Sequence, residues 1–439
     1  MMTREKTTGN ILKKLVAFSV PLILSGLFQQ LFNWVDALIV GNFVGETALA
    51  GVGAVTSLYN LFVTTIVGFT SGLSVLFARQ YGQGERDGNA DLLASYSVVL
   101  TAVFAMISVL GMVFISPILD LMDTPKEIFL YARDYLLIIF IGIPFLALYN
   151  VYSAVLRGMG NSKTPFIAVL ISSVTNAVLD YVLIAVFDLG VGGAAVATVI
   201  SQVAMTVYII IYTVAKYPSL RFSPLGSHRN RNSIRSGAGY GMPPAIQSSV
   251  SSVGNLILQR FMNGFGEQTV AAITTAYRVD TVLLLPIVNF SSAISTLVAQ
   301  EAGAGSSENP KKIFRLGTLM MSAISVVLAG IIFFFGRAVL SIFGLGAESV
   351  VIGERFFRTL AMFYVFNGLF MSIRGYLEGM SDLLFSSIAG ICSLGVRIAC
   401  SYAFADVWGN MVVAYAEAFS WIFLVIVYAW RYYAKGKKE

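Results

Sequence analysis

The chain has 439 residues, of which 57% are hydrophobic and only 12% charged, against roughly 25% charged in ordinary soluble domains. That composition excludes a set of soluble domains. The formal net charge of +6 does not indicate a nucleic-acid binder, because the basic residues fall in the short links between apolar stretches.

Apolar runs of the roughly 20 residues needed to cross a bilayer recur from end to end. Hydropathy predicts twelve membrane helices, near 13–42, 49–78, 90–118, 127–157, 163–189, 193–215, 234–263, 270–299, 311–341, 350–378, 382–406 and 410–434. No small-residue cleavage site follows the first run, so it is read as a membrane helix and not a signal peptide. Alternate connections hold the positive charge: Lys13 and Lys14, Arg79 and Arg86, Arg157 and Lys163, Lys216 to Arg235, Lys311 to Arg315, Arg374, and Arg431 to Lys438. The opposite links carry little beyond Lys126 and Arg337. This bias orients membrane proteins with the basic side in the cytoplasm, and it places both termini there.

The chain matches itself when shifted by 221 residues, as from Ser74 to Ser295. Ser74, Leu76, Ala78, Gly82 and Gly84 fall on Ser295, Leu297, Ala299, Gly303 and Gly305. Gly45-Glu46 falls on Gly266-Glu267, and Leu156, Gly158 and Met159 on Leu377, Gly379 and Met380. One offset across three regions indicates a duplication. Six helices per copy is an even number, so both copies enter from the same side of the membrane. An all-α fold of two six-helix lobes follows, related by a pseudo-two-fold axis along the membrane normal, as in parallel-repeat transporters. The expected division is an N-lobe at 1–216, a polar linker at 217–233 and a C-lobe at 234–439. A cavity between such lobes is the expected substrate site, and rocking of the lobes the expected motion.

A carboxylate at mid-bilayer costs about 2.5–3.5 kcal/mol even on lenient scales and calls for a partner or a function. Asp36 in helix 1 shares a face with Gln29 and Asn33, and Asp180 in helix 5 has Asn176 one turn below it, so each acid has an amide within reach. Neither acid recurs in the second copy, where the shift finds Ile257 and Ser401. The asymmetry points to one lobe as the ion-binding lobe, through a proton or Na⁺. Arg260, Arg278, Asp280, Arg397 and Glu417 also lie in apolar spans. Arg278 and Asp280 do not face one another, an Arg397–Glu417 pair is open to neighbouring helices, and structural pairing is the expectation for this group. Pro21, Pro144 and Pro286 each remove a backbone donor inside a span and favour a kink. Cys392 and Cys400 are too far apart on one helix to bridge and read as buried small apolar residues. His228, the only histidine, lies in the central loop, which excludes a histidine metal site.

The segments Asn33-Trp-Val-Asp36-Ala-Leu-Ile-Val-Gly41, Asn176-Ala-Val-Leu-Asp180, Leu189-Gly-Val-Gly-Gly through Thr198 to Gln202, and the paired Gly82-Gln-Gly84 and Gly303-Ala-Gly305 loops resemble the multidrug and toxic compound extrusion (MATE) family along the whole chain. The resemblance implies a twelve-helix exporter of organic cations, driven by an H⁺ or Na⁺ gradient through alternating access. It places the ion network on Asp36, Asn176, Asp180 and Thr198, with any Na⁺ held by Asp36 and Asp180, and a bending proline on Pro21. The acidic residue that some members carry in helix 7 is absent here, where Leu258 and Gln259 stand. Aromatic walls suit a lipophilic cation, with Phe28, Gln29, Asn33, Trp34, Tyr59, Tyr149, Tyr277 and Met371 as candidate lining residues. The other readings are a flippase for a lipid-linked precursor and, more remotely, a membrane enzyme. Motifs for metal, nucleophilic or ATP chemistry are missing, so neither an enzyme nor a cofactor is expected. The expected setting is the inner membrane of a bacterium or archaeon, where the protein acts as a monomer among lipids.

Overall fold

A computed structural model describes residues 2–221 and 231–436, without the side chains of residues 2–9, 86, 87 and 436. His228 and most of the expected linker lie outside the described residues.

The described chain is helical throughout. The long helices are α1 (Met2–Phe43), α2 (Glu46–Gln83), α3 (Arg86–Val113), then a short α4 (Ile115–Leu121), α5 (Lys126–Gly158), α6 (Lys163–Asp180) and α7 (Gly190–Lys216). The second half holds α8 (Arg231–Asn263), α9 (Glu267–Leu283), α10 (Leu285–Gly303), α11 (Asn309–Ile342), α12 (Ala347–Ala361), α13 (Tyr364–Gly379), α14 (Leu383–Ala403), a short α15 (Ala405–Trp408) and α16 (Val412–Gly436). In a bilayer a helix satisfies its own backbone groups, which is why apolar segments of this length adopt it. The chain is a multi-pass membrane protein. Ten described helices are long and apolar enough to span, or eleven when the bent pair α12 and α13 counts as one. The Ser-, Gly- and Gln-rich α8 is not among them.

Three spans differ from smooth rods. The expected helix 163–189 stops being α-helical at Asp180 and continues as a π-helical turn, Tyr181–Val186. The expected helix 270–299 is interrupted at Leu284, beside Pro286 in the first turn of α10. The expected helix 350–378 is bent by 50° between α12 and α13. Pro21 and Pro144 lie inside continuous helices. Cys392 is exposed and Cys400 half-buried, so the expectation of buried cysteines fails, and both are free thiols.

The contacts divide the chain into two compact units, and these do not follow chain order. One comprises residues 24–245, the other residues 1–23 together with 246–439. The sequence expectation of 1–216 and 234–439 therefore differs at both ends: the first part of α1 is counted with the second copy, and the first part of α8 with the first. Each break falls beside proline, just after Pro21 in α1 and just after Pro243-Pro244 in α8. In the first unit the core gathers around α5, which packs on α2, α3 and α7; in the second, α13 lies against α10, α11 and α16.

The duplication is visible in atomic contacts. Gly84 and Gly305 both take a left-handed backbone, φ 79° and 78°, as do Gly45 and Gly266 with φ 111° and 88°; a side chain would be strained at these turns. A Cβ on Gly158 would lie 2.6 Å from Phe77 Cβ and 3.0 Å from the Ser74 carbonyl. At the shifted position, a Cβ on Gly379 would lie 2.7 Å from Val298 Cβ and 2.7 Å from the Ser295 carbonyl. Each copy thus uses a small residue to bring two helix backbones together, the common device of membrane helix packing. Replacing either Gly158 or Gly379 with Val should cost about 1–3 kcal/mol through overpacking. The readout is a lower unfolding temperature of the purified protein in detergent, with Gly239→Val, where no atom lies within 4 Å, as the control.

Candidate functional site

Two buried polar clusters stand out, one in each unit. The first is built on α1, α2, α5, α6 and α7. Asp180, the last residue of α6, is fully buried, and Asp36 on α1 is half-buried. Their carboxyl groups approach within hydrogen-bonding reach of one another. No N–H or O–H donor among the described residues reaches Asp36 Oδ1 or either oxygen of Asp180. The expected amide-to-carboxylate bonds are therefore not made. Asn176 instead points its Nδ2 at Thr198 Oγ1, 3.5 Å away, and that hydroxyl donates to the Ala194 carbonyl at 3.1 Å. The π-helical turn begins directly after Asp180. Such turns recur at functional sites because they re-aim a side chain at the cost of regular bonding.

Around the two acids the packing is polar but spare. Gln202 on α7 donates from Nε2 to the Tyr59 hydroxyl at 2.8 Å, while its Oε1 is buried with no partner. Gly142 on α5 makes room for this amide, since a Cβ there would sit 2.2 Å from Gln202 Oε1. Tyr135, buried on α5, lies within electrostatic reach of Asp36, Asp180 and Tyr59. Two facing carboxyls with no donor between them cannot both stay ionised in a desolvated place, because like charges there strongly disfavour double ionisation.

Of the residues singled out in the sequence, Asp36, Asp180 and Tyr59 lie together around Tyr135, and Asn176 pairs with Thr198; Tyr135 and Gln202 were not singled out. Gln202 was legible as an amide inside an otherwise apolar helix; Tyr135 carried no such signal. The remaining candidates sit elsewhere. Phe28 stacks near Phe32 and Phe166, at 6.4 and 6.0 Å between ring centroids, and Gln29, Asn33 and Trp34 are exposed on α1. Tyr149 is buried and donates to the Pro165 carbonyl at 3.3 Å, apart from the acids. Met371 packs half-buried against the core of the other unit.

The second cluster joins α9, α13, α14 and α16. Arg397 on α14 bonds through one nitrogen to Glu417 Oε2 at 3.1 Å and to the Tyr277 hydroxyl at 2.7 Å, and Tyr277 in turn donates to Glu417 Oε2 at 2.8 Å. The pairing of Arg397 with Glu417 anticipated from the sequence is present, and Tyr277 belongs to it instead of to an open aromatic wall. Arg397 also stacks over the Tyr277 ring at 5.5 Å. Asp280, 4% exposed, accepts a hydrogen bond from Tyr364. Arg278 and Arg260 point outward and are exposed.

The comparisons with known proteins agree with this architecture. The MatE family profile matches residues 21–182 and 243–403, once in each half of the chain. The chain is similar to the probable multidrug resistance protein YoeA of Bacillus subtilis (strain 168), 27% identical over 100% of this chain and 97% of that protein. It is 29% identical to the probable multidrug resistance protein YpnP of the same organism, over 90% of this chain and 88% of that protein. Among solved structures, the outward-facing conformation of a multidrug resistance MATE family transporter of the MOP superfamily superposes with a TM-score of 0.90. It shares 23% identity over 97% of each chain, a likeness of fold.

Removing one partner of a buried ion pair leaves an uncompensated charge and costs about 3–5 kcal/mol, whereas replacing both with apolar groups is often neutral. Arg397→Leu should therefore lower the unfolding temperature sharply, and Arg397→Leu/Glu417→Leu should recover most of the loss. A double variant no more stable than the single one would show that the pair does not account for the stability of this cluster.

Proposed function

This chain belongs to the MatE family of transporters, and with that as the premise we propose that it exports lipophilic organic cations in exchange for protons by alternating access. The observation that carries the reading is the facing Asp36–Asp180 pair, in which Asp36 Oδ1 and both oxygens of Asp180 receive no donor among the described residues. A shared proton satisfies such a pair directly. When the proton leaves, two carboxylates on α1 and α6 repel one another. A bound organic cation replaces the missing positive charge. Proton and drug thus compete for one electrostatic role, which is what an exchanger requires.

Asn176 and Thr198 hold their bond beside the pair and offer oxygen atoms to it, while Gln202 and Tyr59 fix the α2–α7 wall. Exposed groups of α1, Trp34, Gln29 and Asn33, give a lipophilic cation a surface for cation–π and polar contact. Pro21, two residues before the point where α1 changes unit, is the place where that helix most readily bends. The basic links support a placement of both termini in the cytoplasm of a bacterial or archaeal cell, and the scheme invokes neither a partner subunit nor a cofactor. Export of cations fits the acidic character of the buried clusters. A flippase for a lipid pyrophosphate would call for a basic one.

The test is efflux of ethidium from proteoliposomes under an imposed pH gradient or an imposed Na⁺ gradient, with wild type and Asp180→Asn. The expected result is efflux driven by the pH gradient, with the variant's rate at least tenfold lower. Efflux that follows the Na⁺ gradient, or an undiminished rate in Asp180→Asn, would overturn proton coupling at this pair.

A further inference from the structure

The second cluster carries a feature that structural pairing does not explain. Within it Asp280 and Glu417 are acids and Arg397 is the only base, so that full ionisation leaves one negative charge without a cation. Arg397 is committed to Glu417 and Tyr277, and Tyr364 gives Asp280 a neutral hydroxyl only. Desolvated charges of this kind are tolerated when a proton or ion completes them.

The place of Asp280 in the fold is equally specific. Its carbonyl accepts from Leu284 N, 2.8 Å away, at the interruption between α9 and α10. Its partner Tyr364 is the first residue of α13, directly after the 50° bend from α12. One side-chain hydrogen bond therefore ties together the break points of two discontinuous helices. The first unit repeats the theme, with Asp180 at the junction of α6 and its π-helical turn. The internal shift strengthens the parallel, because 221 residues carry Tyr59 to Asp280 and Asn176 to Arg397. The same helix positions that line the first cluster hold the charges of the second.

We infer that Asp280 is a second proton-binding carboxyl, and that its protonation state acts on the two helix breaks through Tyr364. In the deprotonated form the carboxylate accepts the Tyr364 O–H and holds α13 against α9. A proton taken from water converts it to a carboxylic acid, which no longer needs that donor and frees the breaks to rearrange. The groups that face it are Tyr277 on its own helix, Tyr364 on α13, Arg397 on α14 and Glu417 on α16, with α12 contributing the apolar Phe356 against Tyr277. Arg397 and Glu417 act as a fixed, mutually neutralised pair that isolates Asp280 as the titrating member. The inference deepens the proton-exchange reading and rests on it for its role in transport, while the site itself is testable alone.

The experiment is infrared difference spectroscopy of the purified full-length protein, stepping pH from acid to alkaline and reading the carbonyl stretch of protonated carboxylic acids. Wild type, Asp180→Asn, Asp280→Asn and Tyr364→Phe are compared. The expected result is one band lost in Asp180→Asn and a different band lost in Asp280→Asn, with the latter band moved in frequency by Tyr364→Phe. A spectrum in which Asp280→Asn retains every wild-type band would overturn the second site, whatever Asp180→Asn shows. Loss of the Asp280 band with none at Asp180 would support this site and count against the Asp36–Asp180 pair. If Asp280→Asn fails to fold, the Tyr364→Phe comparison decides: an unmoved set of bands overturns the assignment.

Discussion

A carboxylate inside a membrane protein has few ways to exist: it can be paired with a base, hydrogen-bonded by several donors, or protonated. Among the described residues Glu417 is held by Arg397, Glu378 by Arg374, and Asp382 by Arg431 and Lys435, whereas Asp36, Asp180 and Asp280 make no such ion pair. Asp180 and Asp280 lie where a helix departs from regular geometry, and Asp36 faces Asp180. The cost of charge at membrane depth, several kcal/mol by any scale, is thereby joined to the parts of the fold that bend most readily. A proton arriving or leaving changes the electrostatic energy at a joint and not within a rigid core.

The arithmetic of driving force depends on how many such acids exchange protons. One proton against one monovalent cation is electroneutral and draws only on the pH difference. A second proton would move one net charge, and with 100 mV across the membrane that adds about 2.3 kcal/mol, equivalent to about fiftyfold in the gradient sustained. On the proposed scheme, a second titrating cluster would add a proton to the exchange and so draw on the membrane voltage.

Much of this was legible in the sequence because it follows from periodicity and cost. Apolar runs and links located the ten or eleven described spans, and the offset of 221 residues aligned Gly84 with Gly305 and Gly158 with Gly379, which the fold uses for matching turns and close approaches. Asp36 and Asp180 announced themselves as charges in apolar helices. That they face one another was not legible, because the contact is tertiary and each had a plausible local amide. The π-helical turn after Asp180 and the breaks at Leu284 and at Met362-Phe363 were hidden for a similar reason: hydropathy smooths over a defect of one turn. The exchange of the first parts of α1 and α8 between compact units has no local signature beyond Pro21 and Pro243-Pro244. Asp280 was read as one half of an ordinary structural pair, since its partner Tyr364 is uncharged and lies 84 positions away.

The most direct measurement is the number of protons released when purified protein in weakly buffered detergent binds tetraphenylphosphonium. If proton and organic cation compete for the Asp36–Asp180 pair, binding should release protons from wild type, and Asp36→Asn/Asp180→Asn should lose that release. Binding to wild type with no proton released at any pH would contradict competition at the pair and, with it, the proton-exchange reading.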